Sequence, residues 1–194
     1  IKHFIHCSTA YVCWNGYFLS NEETLCLPET DYEKTKYKAE QIVKSAIGKV
    51  SFPITIIRPG LIYGKYSKGF LPLFSAIKKG HFFFINGGKN LFEMTNVEDL
   101  TRVFELVLYN KIAFNETFII SEENPKTFKE IVQIIACLLN KPTPRRNMHK
   151  LLFLFFLRPL VLIKKLTGIN IPFSEDSLKT LTLSRKFNIT KARA

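Results

Sequence analysis

Residues 30–40 read TDYEKTKYKAE and place a tyrosine and a lysine four positions apart, Tyr32 and Lys36. Positions i and i+4 lie on one face of an α-helix, so the two side chains can approach the same point. A lysine-rich chain produces such a pair by chance, and the pair alone indicates little. Two further segments give it weight, because STA at 8–10 lies upstream and RPGLIYG at 58–64 follows downstream. The information therefore lies in the order and spacing of the three segments.

The tyrosine and the lysine are chemically suited to proton transfer. A phenol ordinarily titrates near pH 10, which is too high for an efficient general acid or base at neutral pH. A cation within about 4–6 Å favours the phenolate. A Ser or Thr hydroxyl at the end of a neighbouring strand would hold the substrate oxygen. The segments therefore predict a catalytic set of Thr9, Tyr32 and Lys36.

Four segments in this order resemble the extended short-chain dehydrogenase/reductase superfamily, also called the NAD-dependent epimerase/dehydratase family. They are STAYV at 8–12, YEKTKYKAE at 32–40, ITIIRPGLIYG at 54–64 and NVEDL at 96–100. The similarity continues to the closing FNITKAR at 187–193. Each motif is weak alone, and the four together identify the chain as a member of this superfamily.

The resemblance implies a role for each residue of the catalytic set. Tyr32 exchanges the proton, and Lys36 binds the ribose of NAD or NADP and tunes the tyrosine. Thr9 falls on the hydroxyl that aligns the substrate, and Ser8 is the second choice for a substrate contact. The resemblance also implies which residues border the cofactor and which form the wall of the substrate site. The cofactor border is Pro59, Gly60, Leu61 and Ile62, and the substrate wall is Leu61, Phe83 and Phe84.

Alternating strand and helix patterns predict an α/β parallel sheet. Strands are expected at 1–7, 54–57 and 117–120, and helices at 31–48, 70–79, 96–109 and 127–140. Asp31 is expected near the N-cap of the first helix, and Thr127 with Glu130 forms a capping box for the last. By resemblance, 1–64 and 94–121 form the second part of a Rossmann-like doubly wound sheet. Residues 65–93 and 122–194 would form a smaller, mostly helical substrate lobe.

The first residues read as a strand already under way, with no signal peptide before them. The nine glycines make no Gly-x-x-Gly-x-x-Gly turn and no phosphate-binding loop. We therefore expect a fragment that lacks the cofactor-binding start, about 100 residues long, and that is inactive by itself. The residue that distinguishes NAD from NADP lies upstream, so the choice between them stays open.

Four residues in three segments depart from the nucleotide-sugar members of the superfamily. Ala10-Tyr11 replaces the Asp-Glu pair of the dehydratases, Leu61 replaces a substrate-binding Asn, and Phe92 replaces a diphosphate-binding Arg. These changes favour an oxidoreductase acting on a carbonyl or alcohol of an apolar small-molecule substrate. The nearest branches are the 3β-hydroxysteroid dehydrogenases, dihydroflavonol reductases and acyl reductases. A nucleotide-sugar epimerase or dehydratase and a non-catalytic binding fragment remain alternatives.

Charge and cysteine usage narrow the expected partners. The net charge is +12, yet the basic residues are scattered without a continuous stripe or reader motif, which predicts no nucleic-acid partner. The four cysteines and four histidines show no metal-ligand spacing, so no metal is expected. Cysteines without paired spacing favour a reduced, cytoplasmic protein.

The apolar segment 151–165 is too short and too interrupted to span a bilayer. A helix of the substrate lobe is the first interpretation. A peripheral membrane contact, with Lys164 and Lys165 facing lipid headgroups, is the second. The resemblance also implies a homodimer formed through the helix that carries Tyr32 and Lys36.

Overall fold

The computed structural model describes residues 1–14, 19–155 and 183–194. The chain divides into two units. The first contains Ile1–Ser67, Glu93–Pro125 and Arg185–Ala194, and the second contains Lys68–Phe92 and Lys126–Ser184. These boundaries lie within a few residues of the predicted ones, except that the last ten residues fold with the first unit. The assignment of the second unit to substrate binding stays a prediction.

The described residues contain nine short strands. They are β1 (Phe4–Cys7), β2 (Ile54–Pro59), β3 (Leu61–Tyr63), β4 (Phe84–Ile85), β5 (Leu91–Phe92), β6 (Met94–Asn96), β7 (Thr117–Ile120), β8 (Lys126–Thr127) and β9 (Asn147–Met148). In the first unit β1, β2 and β7 form a parallel sheet in that order. All six residues of the central strand β2 are buried, as expected for a parallel strand covered on both faces. The predicted α/β parallel sheet is thus confirmed.

The two faces of this sheet pack against different elements because side chains alternate along a strand. On one face, Ile119 packs with the short 3-10 helix Ala10–Cys13 and with Tyr37. On the other face, Ile57 packs with the buried residues of a helix that ends at Val107. The sheet is therefore covered on both sides within the first unit.

Four α-helices of eight residues or more lie within the described ranges. They are α1 (Asp31–Ala46), α2 (Leu71–Lys78), α3 (Val97–Val107) and α4 (Phe128–Leu138). The capping box predicted for Thr127 and Glu130 is confirmed at the start of α4. Each helix was expected at its place, although the predicted ranges run one or two residues beyond the observed ends, except at the start of α1, which agrees.

The start of α1 agrees with the prediction that Asp31 lies near the N-cap, because Asp31 is the first helical residue. Thr30, not Asp31, is the N-cap, and its hydroxyl accepts a hydrogen bond from the backbone N–H of Glu33. The Glu33 carboxylate accepts in return from the backbone N–H of Thr30 at 3.1 Å. This reciprocal capping box satisfies two of the N–H groups that a helix start leaves unpaired. Asp31 lies in the first turn, where its negative charge interacts favourably with the helix dipole.

The second unit is held together by aromatic side chains. Phe84 is 4% exposed, and its ring lies 5.1 Å from Phe82 and 6.5 Å from Phe128. Phe92 stacks on Phe128 at 5.0 Å. Strand β4 pairs with β9 in parallel and β5 with β8 antiparallel.

Two predictions about partners reach beyond what the structure describes. Residues 156–165 of the apolar segment 151–165 lie outside the described ranges. Within those ranges, no helix is both long and apolar enough to cross a bilayer. The membrane-surface contact and the homodimer stay predictions.

Candidate active site

Thr9 lies at the carboxyl end of β1, where the chain leaves the sheet. The backbone N–H of Ser8 still pairs with the carbonyl of Ile57 at 2.8 Å. Thr9 then caps the 3-10 helix Ala10–Cys13, and its Oγ1 accepts a long hydrogen bond, 3.4 Å, from the N–H of Tyr11. Because Oγ1 acts as an acceptor there, the Thr9 hydroxyl proton remains available to donate.

Tyr32 and Lys36 lie one turn apart near the start of α1. The Tyr32 side chain is 56% exposed, so a ligand can reach its hydroxyl. The Lys36 ammonium donates to the carbonyl oxygen of Cys7 at 3.1 Å. Cys7 is the last residue of β1, two residues before Thr9. This bond holds the lysine of the helix at the strand end from which the Thr9 turn begins.

The three predicted catalytic residues thus belong to the same unit, and the bond from Lys36 to Cys7 brings the helix that carries Tyr32 to the carboxyl end of β1. Within the described ranges, no hydrogen bond joins Tyr32 to Thr9 or Lys36. A phenol and a threonine hydroxyl that are not bonded to each other suit a site that bonds to a ligand oxygen, since catalytic hydrogen bonds often form only with the ligand present. The catalytic roles themselves stay predictions.

Ser8 has a structural task. Its hydroxyl donates to Glu40 Oε2 at 2.6 Å, and both side chains are buried. The same carboxylate binds Arg58 of β2 through two hydrogen bonds, from Nη2 to Oε1 at 2.6 Å and from Nε to Oε2 at 3.1 Å. A buried serine bound to a buried carboxylate is poorly placed to contact substrate. Its predicted substrate role therefore has no support from its contacts.

The Glu40–Arg58 pair keeps both charges stable inside the protein. Burial alone would raise the pKa of Glu40, but the hydrogen bonds and charge of Arg58 outweigh it and lower that pKa to about 2. Burial opposes the charge of Arg58 as well, and the hydrogen bonds to Glu40 reverse this and raise the Arg58 pKa. Glu40 is therefore an anion at neutral pH.

The segment Pro59–Ile62, predicted to border the nicotinamide, begins at the last residue of β2 and continues into β3. The N–H of Gly60 lies within hydrogen-bonding distance of the Ile120 carbonyl, at 2.9 Å, and of Thr95 Oγ1, at 3.0 Å. A Cβ at Gly60 would lie only 2.8 Å from the carbonyl oxygen of Glu93. Close backbone packing thus explains the glycine. Cofactor contact by Pro59, Gly60, Leu61 and Ile62 stays a prediction.

The predicted substrate wall has mixed support. Phe84 is part of the aromatic core of the second unit, which is a sufficient reason for its presence. Phe83 is half-buried and packs 6.0 Å from Phe153. Leu61 is half-buried in the first unit. Leu61 and Phe83 therefore keep some exposed surface for an apolar ligand, while Phe84 keeps almost none.

Tyr11 occupies the position where the resemblance places a dehydratase glutamate. Burial raises the pKa of Tyr11 to about 12, although the charge of Arg185 opposes the shift. The nearby hydroxyl of Tyr32 adds to this rise. Tyr11 is therefore a neutral phenol beside the candidate catalytic tyrosine, and it cannot replace the carboxylate that a dehydratase uses.

Three residues with clear tasks around the site were not predicted from sequence. Glu40 and Arg58 were quoted only as parts of sequence motifs, without a role of their own. Arg185 was not considered. The signal for Glu40 was its position one turn beyond Lys36 on the same helix face. Arg185 lies 152 residues from its partner Glu33, and no local pattern indicates such a pairing.

The first unit thus combines a parallel α/β sheet with a tyrosine–lysine pair on the helix that contacts the end of β1. Comparison with known proteins agrees. The sequence model of the NAD dependent epimerase/dehydratase family matches residues 1–120. The chain belongs to this family. That result confirms the predicted family, and the family's dependence on NAD agrees with the predicted nicotinamide cofactor.

Two curated relatives illustrate the activities of proteins with similar sequences. The chain is 27% identical to the UDP-glucose 4-epimerase of Vibrio cholerae over 148 residues, which cover 74% of this chain and 45% of that protein. It is 25% identical to 3beta-hydroxysteroid-dehydrogenase/decarboxylase isoform 2 of Arabidopsis thaliana, across 100% of this chain and 38% of that protein. The chain thus spans less than half the length of either relative.

A solved structure shares the fold over the whole chain. The UDP-glucuronic acid 4-epimerase from Bacillus cereus, solved with NAD, superposes with a TM-score of 0.74 at 17% identity. The match covers 100% of this chain and 54% of that one. This likeness confirms the Rossmann-like α/β fold class.

Proposed function

We propose that the complete protein is an NAD(P)-dependent oxidoreductase. It transfers a hydride between a nicotinamide cofactor and the carbonyl or alcohol carbon of a largely apolar substrate. One observation carries the proposal: the bond from Lys36 to the Cys7 carbonyl brings the tyrosine–lysine helix to the strand end that leads to Thr9. An exposed phenol, an ammonium and a threonine hydroxyl are the groups that such a reaction needs.

The residues present fit a nicotinamide riboside. Ligands of open α/β sheets bind outside the carboxyl ends of the strands, and Thr9 and Gly60 follow two such ends, those of β1 and β2. The Lys36 ammonium has three N–H donors and, among the residues that the structure describes, uses one on Cys7, which leaves two for ribose hydroxyls. When bound, the cofactor supplies or accepts the hydride.

The side chains handle the proton and the oxygen. In the reducing direction, hydride addition to the carbonyl carbon leaves the π-electron pair on oxygen, and that oxygen takes the proton of the Tyr32 hydroxyl. Thr9 donates a hydrogen bond to the same oxygen and keeps it within reach. The positive charge of Lys36 stabilises the phenolate that Tyr32 becomes. Oxidation of an alcohol runs through the same contacts in reverse.

The structure supports an apolar substrate at two positions. Phe92, at the place of a diphosphate-binding arginine, is buried and stacked on Phe128. Tyr11, at the place of a dehydratase glutamate, is held as a neutral phenol. Neither residue offers the charge that a sugar diphosphate or a water elimination requires. The similarity to a hydroxysteroid dehydrogenase points in the same direction.

The decisive variant is Tyr32→Phe in the complete protein, which keeps the ring and removes the proton. General acid–base groups contribute about 10²–10⁴-fold to rate, and kcat is expected to fall by that factor. Tyr37→Phe is the matched control, because Tyr37 lies on the same helix and packs into the core. A loss of less than about tenfold for Tyr32→Phe, equal to that of the control, refutes the acid–base role.

A second candidate is a nucleotide-sugar epimerase of the same family, and the similarity to UDP-glucose 4-epimerase favours it. Such an enzyme oxidises its substrate and returns the hydride to the same carbon, so no net cofactor is consumed. It would turn over a nucleotide sugar without added NAD(P)H and keep its cofactor through purification. An oxidoreductase would instead convert one molecule of cofactor for each molecule of substrate.

A further inference from the structure

One arginine from the end of the chain contacts both halves of the candidate site. Arg185 is 7% exposed and belongs to the same unit as Thr9 and Tyr32. Its Nη2 lies 3.4 Å from Oε1 of Glu33, the residue that directly follows Tyr32. Its guanidinium carbon lies 4.2 Å from the ring centre of Tyr11, two residues after Thr9. A single guanidinium therefore links the catalytic helix to the Thr9 turn.

Glu33 carries the contact into the first turn of α1. Its Oε2 accepts hydrogen bonds from the backbone N–H groups of Glu29 at 2.9 Å and Thr30 at 3.1 Å. Its other oxygen faces Arg185. With both oxygens engaged, the carboxylate has little freedom to rotate. Displacement of Arg185 would therefore be transmitted to the turn that carries Tyr32.

The other side of the guanidinium packs against aromatic rings. Besides Tyr11, the ring of Trp14 lies 4.9 Å from the guanidinium carbon, and both contacts have cation–π geometry. Phe187, two residues beyond Arg185, packs 6.3 Å from Tyr11 and donates its N–H to Glu93 at 3.2 Å. The arginine is thus anchored within a buried cluster and cannot swing freely.

This arrangement is less favourable for folding than apolar packing at the same place would be. Within residues 1–14, 19–155 and 183–194, Nε of Arg185 and Nε1 of Trp14 are buried without a hydrogen-bond partner. Buried donors without partners oppose folding, and apolar side chains of similar volume often replace buried ion pairs without loss of stability. A charged residue at this place therefore fits a task beside the site better than a purely structural one.

We infer that Arg185 is a positioning residue that holds Tyr32 and the Thr9 turn in a fixed relation, so that both hydroxyls reach one substrate oxygen. The inference rests on the proposed function. Arg185 acts through Glu33 and Tyr11 and does not itself touch the substrate.

The main test is Arg185→Met in the complete protein. We expect kcat to fall about 10- to 100-fold, because small misplacements of reacting groups have effects of this size. The KM for the cofactor should change less than about threefold, since Lys36 keeps its contact with Cys7, and the pH profile of kcat should shift. Arg185→Lys keeps the charge but not the planar stack, so it should restore activity only in part.

The matched control is Lys191→Met. Lys191 lies in the same closing segment and pairs with Glu116 at 2.7 Å, but the two side chains are 40% and 46% exposed, so this pair is not buried. Its loss should leave kcat and the pH profile unchanged. A general weakening of the closing segment would instead affect both variants alike, and that result would contradict a specific role for Arg185.

A second measurement does not depend on activity. In protein labelled with [13Cζ]tyrosine and free of cofactor, the Tyr32 resonance is identified by its loss in Tyr32→Phe. Arg185→Met should move this resonance, and Lys191→Met should not. If circular dichroism shows that Arg185→Met does not fold, Arg185→Lys and Glu33→Gln replace it. The same criteria, kcat and the Tyr32 resonance, then decide whether the inference holds.

The outcomes separate the two claims. If Tyr32→Phe abolishes turnover while Arg185→Met keeps wild-type kcat and an unmoved Tyr32 resonance, the inference is overturned and the proposed function stands. If Tyr32→Phe keeps full activity, the proposed function fails. The Tyr32 resonance then decides alone whether Arg185 positions this side chain.

Discussion

Arg58 and Glu40 form a two-point ion pair in the interior of the first unit, with Nη2 2.6 Å from Oε1 and Nε 3.1 Å from Oε2. Both side chains have 0% exposure. The pair ties α1 to the central strand β2. Glu40 lies one turn beyond Lys36, so the same contact fixes the helix rotation that directs Lys36 to the carboxyl end of β1.

The first prediction concerns this pair. Arg58→Met leaves the buried Glu40 carboxylate without its main partner, and such losses cost about 3–5 kcal/mol. We expect a decrease of that size in the free energy of unfolding, measured by urea denaturation. Arg102→Met is the control, because Arg102 pairs with Asp99 on the protein surface and such pairs contribute at most about 1 kcal/mol. Equal effects of the two variants would contradict the account.

The second prediction is a pH dependence of stability. Pairing lowers the folded-state pKa of Glu40 to about 2, from an ordinary value of 4.5. A lowered carboxylate pKa means that its stabilisation is fully present above about pH 4.5 and is lost as the pH falls towards 2. The difference in unfolding free energy between wild type and Glu40→Gln should therefore shrink over this interval. A difference that stays constant with pH would show that Glu40 is not specially stabilised as an anion.

The third prediction separates Thr9 from its neighbour Ser8. Thr9→Val keeps the shape but removes the hydroxyl, so kcat should fall about tenfold or more if that hydroxyl binds an oxygen bearing developing charge. Thr9→Ser should restore most of the activity. Ser8→Ala should instead lower stability, since it removes the bond to buried Glu40. A kcat loss confined to Ser8→Ala would exchange the roles assigned to the two residues.

The fourth prediction tests the close backbone packing after β2. Gly60→Ala would bring a Cβ within 2.8 Å of the Glu93 carbonyl oxygen, which is backbone and cannot easily move. We expect a loss of about 1–3 kcal/mol in unfolding free energy, the usual effect of forcing an extra group into packed structure. At Gly69 nothing lies within 4 Å of an added Cβ, and Gly69→Ala should be nearly neutral. Similar effects at both glycines would contradict the packing argument.

Sequence reasoning predicted the local elements well and the long-range pairs poorly. The strand Thr117–Ile120 and the Thr127 cap were predicted correctly, because apolar runs and capping residues act over a few positions. Thr30 was missed as a cap because Asp31 is an equally good capping type, and only the reciprocal bond with Glu33 distinguishes them. Local patterns decide such elements, and their ends depend on details of hydrogen bonding.

The pairings around the site could not be predicted in the same way. Glu40 and Arg58 are 18 residues apart, and Arg185 meets Glu33 across 152 residues. These contacts exist only once the sheet and α1 have packed. The sequence therefore indicated Thr9, Tyr32 and Lys36 by motif, while the side chains that hold them in place required the tertiary structure.

The central claim is net hydride transfer at the Tyr32 site, and an isotope measurement tests it most directly. The complete protein is incubated with deuterium-labelled NADH or NADPH, 4R and 4S in turn, and a panel of apolar ketones, aldehydes and thioesters. The account predicts cofactor oxidation matched by product, with deuterium on the former carbonyl carbon of the substrate for one of the two labels. The account would be contradicted if the protein turned over a nucleotide sugar with no net change in cofactor and turned over no compound of the apolar panel.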